Sequence, residues 1–118
     1  MVTDEDVVKR YYDSWNYKLG EGLADLIAED VSYVGPIEQV AGAPALIEMA
    51  AKFAPMHGGM KILHQFRDGD DICTIYDLKV NGPGWSMDIP TADWITLRDG
   101  RVARQRVFQD VREVLAKL

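Results

Sequence analysis

Three turn signals constrain this chain more than anything else in it: "RDGD" at 67–70, "NGPG" at 81–84 and "RDG" at 98–100. Each separates apolar runs of about eight to twelve residues, and Asp-Gly or Asn-Gly between alternating runs is the strongest short-range hairpin signal. Four antiparallel strands are therefore predicted near 60–67, 71–80, 85–97 and 101–109. Their side chains must alternate between two faces, because the period of a strand is two.

Upstream the period is helical. Thr3 with Asp6 resembles a capping box, and Val7, Tyr11 and Trp15 at i, i+4, i+8 form an apolar stripe that turns Tyr11 toward the core of a first helix. "LGEG" breaks it. Leu23, Leu26 and Ile27 predict a short second helix ending near "AED", and "VSYVG" at 31–35 a brief strand closed by Gly35 and Pro36. Pro44 opens a third helix whose apolar residues Leu46, Ile47, Met49, Ala50 and Phe53 carry it to Pro55. The glycines at 58 and 59 then separate helices from sheet. Helices first and a meander second is the order of an α+β domain. The expectation is one domain over 1–118: three N-terminal helices covering a curled, cone-shaped antiparallel sheet of one short strand plus a four-strand meander.

A net charge of −6 and a pI near 4.8, with no basic run, exclude nucleic acid as the expected partner. The acidic start "MVTDEDVV" lacks the basic and apolar segments of a signal peptide, and no run approaches the ~20 apolar residues of a membrane span. The single cysteine, Cys73, forms no intrachain disulfide and has no adjacent base to activate it. The expected setting is the cytoplasm, with no membrane partner. Two histidines and no helical His-x-x-x-His spacing predict no metal site.

One stretch departs from routine strand patterning. In "SMDIPTADWITLRDG", residues 86–100, Met87, Ile89, Thr91, Asp93, Ile95 and Leu97 share a parity, so a carboxylate stands on an apolar face. Either Asp93 points into the core, where desolvation raises its pKa, or a bulge at Pro90 flips the parity and sends it to solvent. On the last strand Gln105 and Gln109 share the inward parity with Ala103 and Val107, leaving Arg104 and Arg106 outside.

"VVKRYYDSWN", "LADLIAEDVSYVGP" and "ADWITLRDGRVARQRVFQD" together resemble the α+β cone superfamily of ketosteroid isomerase, the SnoaL-like polyketide cyclases, limonene-epoxide hydrolase and nuclear transport factor 2. The likeness spans nearly the whole chain in element order. It implies a cone with an apolar cavity for a small hydrophobic molecule, no cofactor, and a homodimer through the convex sheet face. Aligned on ketosteroid isomerase, the two oxyanion donors fall at Tyr11 and Asp93, while the proton-moving aspartate falls at Gly35. The last-strand acid of the cyclases and of the epoxide hydrolase falls at Val107, after Gln105 and Arg106; a second hydrolase aspartate lies near Asp77. The resemblance thus implies Asp93 and Tyr11 as electrophilic donors to a carbonyl compound. Trp15, Tyr33, Phe53, Tyr76, Ile89, Gln105 and Val107 are the expected walls.

His64, on the face shared with Ile62 and Phe66, is the best remaining base; Glu38 is a second candidate, and His57 is placed in a loop. Two functions follow: an isomerase or cyclase with oxyanion donors, or a binding or dimerisation module of the same fold.

Overall fold

The computed structural model describes residues 3–17 and 20–118. Helix α1 runs Asp4–Asn16 and carries the predicted capping box: the Asp6 N–H donates to Thr3 Oγ1 and the Thr3 N–H to the Asp6 carboxylate, both at 3.2 Å. Leu19, the first residue of the "LGEG" break, lies outside the described residues.

The predicted second helix is a single 3-10 turn, Leu23–Asp25, and "AED" belongs to strand β1, Ile27–Val34, which starts four residues earlier than expected. The cause is long-range. β1 pairs in parallel with the last strand, from Ile27↔Val102 to Val34↔Arg106, and a partner so distant in sequence leaves no local mark. A short strand β2, Gln39–Ala41, pairs back on β1. Helix α2 spans Ala43–Phe53 with Pro44 in its first turn.

The meander forms as predicted, with the first three strands longer than expected: β3 His57–Asp68, β4 Asp71–Gly82, β5 Trp85–Arg98 and β6 Arg101–Gln109. Gly58 and Gly59 lie inside β3, at a register irregularity, rather than between helices and sheet. His57 accordingly opens a strand and is no loop residue. A four-residue helix α3, Arg112–Leu115, follows. The fold is α+β with a curled sheet, but among the described residues two α-helices rather than three precede the meander. The sheet has six strands in the order β2-β1-β6-β5-β4-β3, and it is mixed.

Helices α1 and α2 cover one face of this sheet. Tyr11, Leu46, Ile95 and Val102 are each fully buried in the core between them. Pro90 does not flip β5. The β4–β5 register runs unbroken from Asp71↔Thr96 to Gly82↔Trp85, with Pro90 opposite Asp77. Pro90 also stands one residue past the last β5–β6 pair, Thr91↔Gln109, where β6 no longer runs alongside. Burial alternates through it: Ile89, Thr91, Asp93, Ile95 and Leu97 are buried, while Ser86, Asp88 and Pro90 are exposed. The bulge that does occur, between Thr96 and Leu97 opposite β6, lies beyond Asp93. Asp93 therefore faces the core.

The β4–β5 hairpin depends on a close approach. A Cβ added at Gly82 would stand 2.1 and 2.2 Å from carbons of the Trp85 ring, so the indole must leave its seat. Gly82→Ala is expected to lower unfolding stability by about 1–3 kcal/mol, read from the urea midpoint; an unchanged midpoint would refute the assigned packing of Trp85.

Candidate active site

Asp93 is completely buried, and its carboxyl is the meeting point of three elements. Tyr12 of α1 donates its hydroxyl to Oδ2 at 3.0 Å, Gln105 of β6 donates Nε2–H to Oδ2 at 2.9 Å, and Tyr76 of β4 donates its hydroxyl to Oδ1 at 3.1 Å. A carboxylate offers about four lone-pair positions. Three are filled, so one remains, on Oδ1. Burial raises the Asp93 pKa to about 7, while the three hydrogen bonds pull the other way. Burial and the charge of Asp93 push the Tyr12 and Tyr76 hydroxyls well above the ordinary phenol range, so both remain neutral donors.

Asp93 lines an apolar cavity of about 270 Å³ bounded by α1, α2, the β1–β2 loop, the sheet and the C-terminal turn. Trp15, Tyr33, Phe53, Tyr76, Ile89, Gln105 and Val107 all line it. Sequence reasoning missed the methionines Met49, Met56 and Met60, and Val111, Val114 and Leu118 of the C-terminal segment, on the same walls. Methionine suits such a wall because its unbranched, polarisable side chain adapts to irregular shapes.

Tyr11 is not where the resemblance implies. It is fully buried behind the cavity wall, and its hydroxyl donates to Gln105 Oε1 rather than to Asp93. The α1 tyrosine on Asp93 is Tyr12. Val8 and Tyr12, spaced i, i+4 beside the Val7–Tyr11 stripe, were the signal for this second buried row; α1 buries both rows.

His64 is exposed, packed edge-to-face on Phe66 with ring centres 4.4 Å apart, and does not reach the cavity. The extra residue between Ile62 and His64 in the β3–β4 ladder breaks the parity that grouped them: Ile62 pairs with the buried Tyr76, His64 with the exposed Ile75. The histidine on the cavity is His57. It stacks on Phe53, its Nδ1 accepts the Gly59 N–H at 3.1 Å, and burial lowers its pKa. It is thus neutral at pH 7, with its proton on Nε2.

Gly35 and Val107, the two positions at which the resemblance places an acid, are both on the cavity, and neither carries a titrating group. Val107 stands beside Asp93 in the ladder. At Gly35 the space is taken: a Cβ there would lie 3.1 Å from the Tyr33 ring and 3.4 Å from its hydroxyl. Glu38 lines the mouth but is exposed, and Asp77 does not line the cavity. Among the described residues no group of three or more His, Cys, Asp or Glu side chains is placed to hold a metal, and no helix is long and apolar enough to cross a membrane. On the outer sheet face Arg104 lies over the Trp94 ring at 4.7 Å, and Arg106 over Phe108 at 5.3 Å.

A family model for a SnoaL-like domain matches residues 8–105. Solved structures share the fold. A nuclear transport factor 2-like protein from Cytophaga hutchinsonii superposes with a TM-score of 0.86 at 21% identity, covering 98% of this chain and 96% of that one. A candidate SnoaL-like polyketide cyclase from Jannaschia sp. CCS1 gives 0.81 at 19% identity, covering 96% and 89%. An epoxide hydrolase from M. tuberculosis gives 0.83 at 14% identity, covering 98% and 88%. No curated protein matches the chain by sequence.

The raised pKa of Asp93 fixes the sign of its effect on stability. The folded state holds the proton up to about pH 7, while the unfolded chain releases it near 3.8. The contribution is full below about 3.8, erodes as pH rises and is gone above about 7. Relative to Asp93→Asn, the wild type should lose on the order of 4 kcal/mol across that window, measured as the difference between the two stability–pH profiles. A difference that stays flat would contradict the burial-driven shift.

Proposed function

The chain belongs to the SnoaL-like family, and from that premise we propose that it binds a small hydrophobic molecule in the cavity and moves a proton on it with Asp93, in an isomerase or cyclase type of reaction on a carbonyl compound. The observation that carries this reading is the buried carboxyl itself: on an apolar cavity, held by three donors, with one open position and a pKa of about 7. A general acid–base group works best with a pKa near the operating pH. As the carboxylate, Asp93 takes a proton from the carbon beside the carbonyl; as the acid, it returns that proton to the substrate. The neutral Tyr33 hydroxyl and the Nε2–H of His57 supply donors for the developing enolate from other walls.

This assigns Asp93 a different task from the oxyanion donor implied by the resemblance. Its carboxyl accepts from every polar neighbour, and the Tyr11 hydroxyl is engaged by Gln105 behind the wall. A non-catalytic binding module is the second reading, favoured by the bare Gly35 and Val107 positions. Either reading is compatible with a homodimer through the convex sheet face, where the arginines stack on Trp94 and Phe108 beside the exposed Ile75.

Exchange of α-hydrogens for deuterium separates the two. With a panel of hydrophobic cyclic ketones in D₂O, followed by NMR, the wild type is expected to accelerate exchange with a rate that climbs toward a plateau above pH 7. Asp93→Asn should lose roughly 10²- to 10⁴-fold. Ketones that bind without any Asp93-dependent exchange would leave the binding module as the function.

A further inference from the structure

We propose that Tyr11 is a positioning residue: its hydroxyl locks the Gln105 amide with the N–H side on Asp93, so that the network is built around the carboxylate. The proposal rests on the reading of Asp93 as the acid–base group. A glutamine amide is nearly symmetric in shape and opposite in chemistry at its two ends, so a buried one is oriented by its partners. Gln105 is buried, with Oε1 accepting from Tyr11 and Nε2 donating to Asp93.

The reverse arrangement would suit a protonated Asp93, which would donate to Oε1 while Nε2 donated to the Tyr11 oxygen. Trp15 opposes it. Its Nε1–H is a buried donor with no well-aligned partner, lying beside the Tyr11 oxygen, and an indole nitrogen cannot accept. With the amide reversed, two donors would converge on the Tyr11 oxygen and the Tyr11 proton would lose its acceptor. In the observed orientation the hydrogen bonds run one way, from Tyr11 to Gln105 and from Gln105 to Asp93, with the Trp15 Nε1–H beside the Tyr11 oxygen. The titratable groups around Asp93 are Tyr11 and Tyr12 of α1, Tyr76 of β4 and Tyr33 of β1, all kept neutral by burial. None supplies a counter-charge, so burial at Asp93 is opposed by hydrogen bonding alone, from Tyr12, Tyr76 and Gln105.

The test is a ¹³C NMR titration of the Asp93 carboxyl, its resonance identified by its loss in Asp93→Asn, in four proteins: wild type, Tyr11→Phe, Gln105→Leu and the double variant. Tyr11→Phe should raise the Asp93 midpoint by about one pH unit, and Gln105→Leu by at least as much. Adding Tyr11→Phe to Gln105→Leu should then move it by a few tenths at most, because the effect travels only through the amide. An unchanged midpoint in Tyr11→Phe, or an equal shift in both backgrounds, overturns the proposal. Should Tyr11→Phe fail to fold, Trp15→Phe serves: a smaller upward shift that vanishes in the Gln105→Leu background supports the one-way relay, and no shift refutes it. A wild-type midpoint near 3.8 would sink the acid–base reading instead, whatever the variants do relative to it.

Discussion

The hydrogen bonds that converge on Asp93 are the interaction on which the site depends. An ionised carboxyl cannot be taken from water into an apolar core without compensation, and an uncompensated one would cost several kcal/mol. Here the compensation comes from donors on three separate elements, α1, β4 and β6, with Asp93 itself on β5. The same contacts that make the buried acid tolerable therefore tie the first helix to the middle of the sheet. Burial still prevails over the three donors, which leaves the group poised near neutrality instead of at either extreme.

That balance depends on β5 holding its alternation. Pro90 could have shifted it, but proline is harmless to the ladder here because β6 has ended by that point, and the register irregularity falls past Asp93 at Thr96 and Leu97. Gln105 and Val107 reach the same cavity for the complementary reason: they follow the bulge on β6 and return to inward parity. One side gives the carboxyl a donor; the other gives it an apolar neighbour that keeps water out.

The meander and the capping box were legible because each is local: turn residues and a three-residue spacing; the period of two gave β5 its two faces, but the unbroken β4–β5 register past Pro90 was needed to turn Asp93 inward. Trp15, Tyr33 and Phe53, named from the resemblance, line the cavity together with methionines that no motif marks. What escaped was non-local or off by one residue. β1 is a strand because β6 lies beside it, so "AED" read as helix. Tyr12 was overlooked because a single stripe through Tyr11 satisfied the helical period, although α1 buries two adjacent rows. His64 and His57 exchanged standing because one extra residue in the β3–β4 ladder parts His64 from Ile62, and β3 starts early enough to set His57 against Phe53. Spacing rules carry no information about insertions in a ladder.

The central claim is that Asp93 changes its proton near neutrality, inside the fold. Infrared difference spectra between the wild type and Asp93→Asn, taken across pH, report it directly through the C=O stretch of a protonated carboxylic acid. The account predicts a band absent from the asparagine variant that fades with a midpoint at about 7. A band already gone by pH 5, fading with a midpoint near 3.8 as an ordinary aspartate would, would contradict it.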